Sequence, residues 1–468
     1  MIAKRHRLTW LWALLALSLG KPATAFELEM GNVTVNDTFT VPSWTSVTFL
    51  RPFPVTPLVF ALPTTDGSDP STLRIRNVTP TGFEIVQTEP SANDGQHVTM
   101  PTAYLAVEPG NHVLPDGSRL LAFEYSTSSF ANRFISTTWD PVVFPSSFSA
   151  TPAMLASIQT TNNESGKPPN SPSAPFMDVG LRSVTAGSFQ VTLERAESTA
   201  GSVTTPERIA ILAIDNLANA SFVDAFGTAV QLQSLATAAN IQGFDNGCFT
   251  NSYATSFSGA PLAVASAMTR NGNNGGWVRR CSQSSGGLGL TIDEDIDNDS
   301  ERNHIGESAG IVAASTAFHA NFEVDVVISK TVETLSDPIS TTNPKAIPSA
   351  VIGYTISVAN NGSLSPDNDS LVITDDVPGE VSLCITAACF AGGPVVLDTA
   401  GSPVPPGVTI GSVEYDDGSG TFTYPGAPDS DGFDPLVVAV RITLNGTFAS
   451  IGTAGSPEFD LLLAARVD

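Results

Sequence analysis

Phe53-Pro54-Val55-Thr56-Pro57-Leu58-Val59-Phe60-Ala61-Leu62, followed by Asn77-Val78-Thr79-Pro80-Thr81-Gly82-Phe83, is the stretch on which the fold turns, because both halves return twice along the chain. The Phe53/Pro57 spacing reappears as Phe148/Pro152 and Phe257/Pro261. Each time an apolar run with strand character follows: Met154-Leu155-Ala156-Ser157-Ile158 in the second instance and Leu262-Ala263-Val264-Ala265 in the third. The second half returns as Ser183-Val184-Thr185-Ala186-Gly187-Ser188-Phe189, and in thinner form as Gly287-Leu288-Gly289-Leu290. From there to a closing apolar strand the spacing is nearly constant: 22 residues from Phe83 to Leu105, 23 from Phe189 to Leu212 and 22 from Leu290 to Val312. Three landmarks in fixed order at a period of about 100 residues define a tandem repeat.

Phe83-Glu84-Ile85-Val86 and Phe189-Gln190-Val191-Thr192-Leu193 alternate with period two, which buries one face of a strand. Pro, Gly, Asn, Asp and Ser cluster between such runs, as from Thr161 to Pro175, and mark long loops. Several short strands per repeat predict an antiparallel β-sandwich. One stretch, Thr228 to Asn240, is rich in Ala, Gln and Leu and reads as a linking helix. The expected architecture is all-β: a leader over 1–25, three tandem sandwiches over 26–125, 126–225 and 226–322, and an immunoglobulin-like sandwich over 323–468.

Lys4, Arg5 and Arg7 precede the apolar stretch Leu8 to Leu19, and Ala23-Thr24-Ala25 has the small-residue cleavage pattern of a secretory signal. No second run of about 18 apolar residues follows, so no membrane insertion is expected once the leader is removed. Beyond residue 25 the chain carries 17 basic and 46 acidic residues, a net of −29. That charge repels nucleic acid and anionic membrane surfaces. Charged residues are 14% of the chain against a usual ~25%, and 38 glycines and 34 prolines fit a turn-rich β protein. Four cysteines in an exported chain predict two disulfides. Cys384 and Cys389 flank a short turn, and Cys248 with Cys281 closes a loop of about 34 residues, stabilising by on the order of 3–4 kcal/mol.

Beyond residue 322 the pattern changes. Ile347-Pro348-Ser349-Ala350-Val351-Ile352-Gly353-Tyr354-Thr355-Ile356-Ser357-Val358-Ala359-Asn360-Asn361-Gly362 precedes Ile373-Thr374-Asp375-Asp376-Val377-Pro378. This tail resembles the domain of unknown function 11, an immunoglobulin-like repeat of bacterial surface and secreted proteins, which implies a spacer and no chemistry. The three repeats resemble H-type lectins, the fold of snail agglutinin and the C-terminal discoidin domain. The shared residues are Phe49 to Val59, an Arg in the next strand, and Val78-Thr79 with Gly82-Phe83. The resemblance implies a six-stranded sandwich, often trimeric, that binds galactose-type sugars. The closing strand departs from the family in lacking its Trp-x-Ala, and an aromatic near the rim is what such a sugar stacks on.

Arg76 and Arg182 stand seven residues before Phe83 and Phe189, so a scarce residue type recurs at one repeat position. A guanidinium fork suits sugar hydroxyls or a carboxylate, and a strand-face Arg paired with a neighbouring acid is the plain alternative. Asp293, Asp295, Asp297, Asp299 and Glu301 place hard oxygens at every second position, as a Ca²⁺ loop does, although the EF-hand glycine and its final glutamate are missing. Glu89, Asp94 and His97 echo that loop in the first repeat, and Glu194, Glu197 and Glu207 in the second. Asp429, Asp431 and Asp434, with Asp416 and Asp417, form a weaker calcium option in the tail. His97, His112, His304 and His319 fall in no zinc-protease spacing, and no nucleophile elbow or phosphate loop occurs. The expected function is therefore a secreted or cell-surface, non-catalytic glycan-binding or adhesion protein, with Arg76, Arg182, Glu89 and Glu194 facing glycans or glycoproteins. Its cofactor would be Ca²⁺ or none, and its oligomeric state stays open. A structural stalk without ligand and a secreted glycan-active enzyme are the alternatives.

Overall fold

The alternating runs fold as strands, and the loops between them carry the turn-forming residues. The computed structural model describes residues 15–18, 25–39, 44–164, 174–340, 342–390 and 392–468. Lys4, Arg5, Arg7, Lys21 and the first residues of the cleavage pattern lie outside the described residues, as does 165–173 of the loop expected from Thr161 to Pro175. The described residues form β-strands and one 3-10 turn, Phe244–Asn246, and contain no α-helix. Phe26–Phe322 make one unit, and Glu323–Asp468 a second with which residues 1–25 group.

In the first unit each repeat is a sandwich of a four-stranded sheet and a smaller one, which is three-stranded in the first and third repeats and gains the two-residue strand Phe130–Ala131 in the second. The larger sheets share one strand order, which we name linker, lead, closing and inner. In the first repeat these are Phe318–Phe322, Phe26–Val35, Met100–Val107 and Leu58–Ala61. In the second they are Gly110–Val113, Arg119–Thr127, Glu207–Ile214 and Ala153–Ile158, and in the third Asn219–Val223, Ala229–Ala236, Ala309–Ala314 and Leu262–Ala267. The smaller sheets centre on Gly82–Thr88, Ser188–Glu194 and Gly287–Asp293. Between the two layers lie three separate apolar cores, around Phe83 and Tyr104, Phe189 and Ile211, and Leu288 and Ile311. The inner strands of all three repeats touch one another, which arranges the sandwiches about a pseudo-threefold axis.

The linker strand closes this ring. Each follows the closing strand of one repeat and pairs with the lead strand of the next; the last, Phe318–Phe322, returns to pair with Phe26–Met30 at the start. Phe322 stacks on Phe26 at 4.7 Å and meets Phe222 edge-on at 4.9 Å, so the seam is sealed by buried aromatic rings.

The aromatic landmarks hold the same geometry three times. Phe49/Phe53, Phe144/Phe148 and Tyr253/Phe257 are edge-to-face pairs at 5.0, 5.1 and 5.0 Å. The backbone N–H groups of Phe53, Phe148 and Phe257 donate to the carbonyls of Pro80, Ala186 and Ser285. Those three carbonyls fix the alignment of the repeats: Phe83 and Phe189 correspond to Leu288, two residues earlier than the Leu290 chosen from spacing. The stretch from Leu288 to Val312 is 24 residues, slightly longer than in the other repeats, which is why matching the spacing picked Leu290.

Two further expectations are corrected. Thr228 to Asn240 is no helix: Ala229–Ala236 is a strand, because a slot between Asn219–Val223 and Ala309–Ala314 outweighs the helix preference of Ala, Gln and Leu. A boundary after residue 125 would cut the lead strand Arg119–Thr127, since the second repeat already begins with its linker strand at Gly110.

The second unit is also a sandwich. One sheet runs Val326–Ser336, Val351–Asn360, Glu458–Val467, Val381–Cys384 and Phe433–Asp434, with Val395–Asp398 also on Glu458–Val467. The other runs Val372–Asp376, Ala439–Gly446 and Val408–Asp416, and Leu15–Ser18 lies antiparallel along the outer edge of Val372–Asp376. Ile356, Ile373, Val440, Leu461 and their neighbours fill the space between the sheets.

If the last strand locks the ring, Phe322→Ala should cost about 3–5 kcal/mol. Chemical denaturation would show this as a lower midpoint with the slope unchanged. A loss below about 1 kcal/mol would mean the ring holds without its seam.

Candidate functional site

Arg76 and Arg182 lie on the outer faces of the smaller sheets, each directly opposite the residue after the landmark Phe. The Arg76 Nε donates to Glu84 at 2.7 Å, and its guanidinium lies 3.9 Å from the Trp44 ring centroid. Arg182 repeats this with Gln190 at 2.7 Å and Trp139 at 4.2 Å. In both repeats the arginine reaches across the middle strand to an indole on the far edge, so it is fixed by a stacked ring beneath and a polar side chain beside.

The third repeat carries a covalent bond at the same place. Trp44, Trp139 and Cys248 each stand five residues before Phe49, Phe144 and Tyr253, and Arg76, Arg182 and Cys281 each stand seven before Phe83, Phe189 and Leu288. The Cys248–Cys281 disulfide, with Cα atoms 5.8 Å apart, thus spans the middle strand where the other repeats use an Arg–Trp stack. Gly289 takes the position of Glu84 and Gln190, since a Cβ there would come within 2.6 Å of the Cys248 sulfur. Cys384 and Cys389 form the second disulfide, at a turn in the tail.

Glu89 and Glu194, expected on a glycan-facing rim, are both buried. Glu194 is held by Arg270 at 2.6 Å and by the Ala196 N–H at 2.8 Å, and it ties the second repeat to the third. Glu89 accepts the Gly95 N–H at 2.9 Å through Oε2, while its Oε1 is buried with no partner among the described residues. Burial pushes the Glu89 carboxyl up to about 7; the Gly95 N–H opposes this, and the nearby Asp69 and Asp94 charges add to it.

Most of the acids from 293 to 301 meet protein partners, with Asp299 the exception. Asp293 accepts from Arg279 at 2.5 Å and from the Arg302 Nε at 2.7 Å, and Arg279 also donates to the carbonyls of Thr64 and Asp69 in the first repeat. Asp295 accepts the N–H groups of Glu197 and Asp297, and Asp297 accepts from the Ser91 hydroxyl and the Ala92 N–H. Asp299 is exposed, and Glu301 accepts the Asn303 N–H at 2.8 Å. The loop fastens the third repeat to the other two, and each of these contacts takes an oxygen that an ion would need. The tail acids behave similarly. Asp429 meets Arg466 at 2.7 Å, Asp416 accepts turn N–H groups at Gly418 and Gly420, and Asp434 accepts from Tyr424, Ala427 and Leu436.

Other buried polar groups bind the ring together without any signal in the spacing. Arg74, fully buried, forks onto Glu164 and donates to the Thr160 carbonyl across the contact of repeats one and two. Thr72 donates to Asp178, its counterpart in the second repeat, and the indole of Trp277, the third counterpart, donates to the Ser71 carbonyl. The cavity at the axis, bordered by Ala61, Ala156 and Ala265, holds about 30 Å³, room for water but not for a ligand. A shallow hollow beside Cys281 and Thr65, about 230 Å³, is smaller than an ordinary small-molecule pocket.

No family model matches the chain, and comparison with curated proteins and with solved structures likewise gives no match. Sequence reasoning found both outer-face arginines and missed their indoles, although the five-residue spacing of Trp44, Trp139 and Cys248 before the aromatic landmark was there to read.

Gly289→Glu, which installs the first repeat's residue, should displace the disulfide, lower the stability of the first unit by ~2–4 kcal/mol and leave two titratable thiols. A stable, thiol-free variant would show that the glycine is incidental. A pH effect follows from His304, buried between Glu294 and Glu307, with Nε2 2.9 Å from Glu307. Burial alone would lower its pKa, but the two carboxylates outweigh it and hold the imidazolium to about 9. A raised pKa stabilises the fold fully below pH 6.5, and the gain is lost as pH rises through 9. The melting temperature of the intact chain should therefore fall between pH 7 and 9.5, and more steeply than that of His304→Gln.

Proposed function

We propose that this chain is an exported, non-catalytic adhesion protein that meets extracellular glycans or glycoproteins on the outer faces of its first two sandwiches. The observation that carries the reading is the recurrent Trp–Arg platform, Trp44–Arg76 with Glu84 and Trp139–Arg182 with Gln190. Each guanidinium is held by its Nε and its stacked face, which leaves its terminal N–H groups, among the described residues, for a pair of sugar hydroxyls. Two such platforms on one rigid unit would add their weak affinities through a high effective concentration. The two disulfides support an oxidising, extracellular setting. The resemblance to H-type lectins points the same way for the sugar class, and the resemblance of the tail to domain of unknown function 11 points to display at a bacterial surface.

One observation favours a second reading. The Cys248–Cys281 disulfide at the third platform position binds no sugar, so bracing the sheet is the role all three repeats share. On that view the protein is a stalk or matrix module, and the arginines serve stability alone.

A glycan array with the intact chain, together with Arg76→Ala/Arg182→Ala, separates the two. The adhesion reading expects binding to a coherent sugar class, reduced at least tenfold in the double variant while its melting temperature stays within a few degrees. A blank array with folded protein, or binding indifferent to both arginines, would sink it and leave the brace.

A further inference from the structure

Asp69, Glu89 and Asp94 each present a carboxylate oxygen, and these oxygens lie within 4.8 Å of one another on the rim of the first repeat. Among the described residues this is the one group of three potential ligands that converges. Proximity of acids would by itself mean little, but Glu89 adds a second observation. Its side chain is 1% exposed, one oxygen is satisfied by the Gly95 N–H, and Oε1 has no protein partner. A buried carboxylate oxygen left bare costs more than an ordinary hydrogen bond returns, and two further carboxylates beside it deepen the cost. A second bare oxygen lies in the same loop: Asn93 Oδ1 is buried and likewise without a partner.

The loop that carries these oxygens is tied down. Thr38 donates its hydroxyl to the Gly95 carbonyl at 2.7 Å and its N–H to the His97 carbonyl at 2.9 Å, and it accepts the His97 N–H at 2.6 Å. Gly95 turns with φ of 77°, which aims its N–H at Glu89. Arg279 donates to the backbone carbonyl of Asp69 and pairs with Asp293, and its charge offsets only part of the burial that raises the Glu89 pKa. Asp94 is exposed, which gives an ion a way in from solvent.

We propose that Asp69, Glu89 and Asp94 form a divalent-cation site of the calcium class. The spacing suits calcium: ligands 2.3–2.6 Å from an ion stand at most about 5 Å apart, while magnesium at 2.0–2.1 Å demands a tighter and more regular cage. The donors are hard oxygens only, and water would complete the six to eight positions on the exposed side. The site differs from the 293–301 loop in that no arginine pairs with its carboxylates among the described residues, whereas Asp293 is held by Arg279 and Arg302. Its role would be to lock the 89–97 loop, which borders the contact between the first and third repeats through Ser91, Ala92 and Asp297.

The test is calorimetric titration of CaCl₂ into the EDTA-treated intact chain, with melting curves in millimolar calcium and in EDTA. One ion per chain and a higher melting temperature in calcium are expected, with at least tenfold weaker binding in Asp94→Asn, whose exposed position makes misfolding a poor explanation. Glu89→Gln, which keeps the shape and removes the charge, should match or exceed the wild-type melting temperature in EDTA and gain nothing from calcium. Asp429→Asn/Asp431→Asn should bind as the wild type does. Absence of calcium heat and of any melting shift, or binding unchanged in both Asp94→Asn and Glu89→Gln, would overturn the site.

Discussion

The exchange of edge strands is the constraint on which the first unit depends. A sheet with a free edge exposes unpaired N–H and C=O groups, and three adjoining sandwiches would have three such edges. Here each closing strand runs on into a linker strand that covers the next repeat's lead strand, and Phe318–Phe322 covers the first. No repeat is then complete by itself: residues from the far end of the unit supply the edge of the first sandwich. The ring must form as a whole, and the stacking of Phe26, Phe222 and Phe322 makes that final join apolar and buried.

The contacts between repeats are built differently from the cores within them. Inside each sandwich the residues are Phe, Leu, Ile and Val, whose packing is non-directional and tolerates exchange. Between sandwiches the buried groups include Arg74 with Glu164, Arg270 with Glu194, and Arg279 with Asp293 and two carbonyls. Buried ion pairs contribute little net stability once desolvation is counted, yet an arginine fork facing the wrong repeat would be left unpaired at a cost of several kcal/mol. That asymmetry fixes which face meets which. It also accounts for the burial of Arg74 and Arg279 in so acidic a chain.

The outer faces show one mechanical problem solved twice over. A small sheet backed by a single core needs its edges held across the middle strand. Repeats one and two do this by laying a guanidinium on an indole, and repeat three by a disulfide over a glycine. The noncovalent version leaves polar groups at the surface that the covalent version does not.

The sequence by itself determined the all-β class, the threefold repetition, the sulfur pairs and the recurrence of Arg76 and Arg182, because these depend on local alternation and on spacing along one chain. It misread Thr228 to Asn240 as helical, since strand formation there is imposed by neighbours on both sides and not by the residues themselves. It also grouped Asp293 to Glu301 as one ligand set. Alternate spacing says which oxygens are near in sequence, while Arg302, Arg279, Glu197 and Ser91, from 9 to about 200 residues away, decide which are already engaged. Glu89, Asp94 and His97 were visible as a faint echo of that loop, yet Asp69, some 20 residues earlier, joins them only through folding. Tertiary structure alone chose the site, because a carboxylate's chemistry is set by whether anything answers it, and that depends on partners brought together from distant parts of the chain.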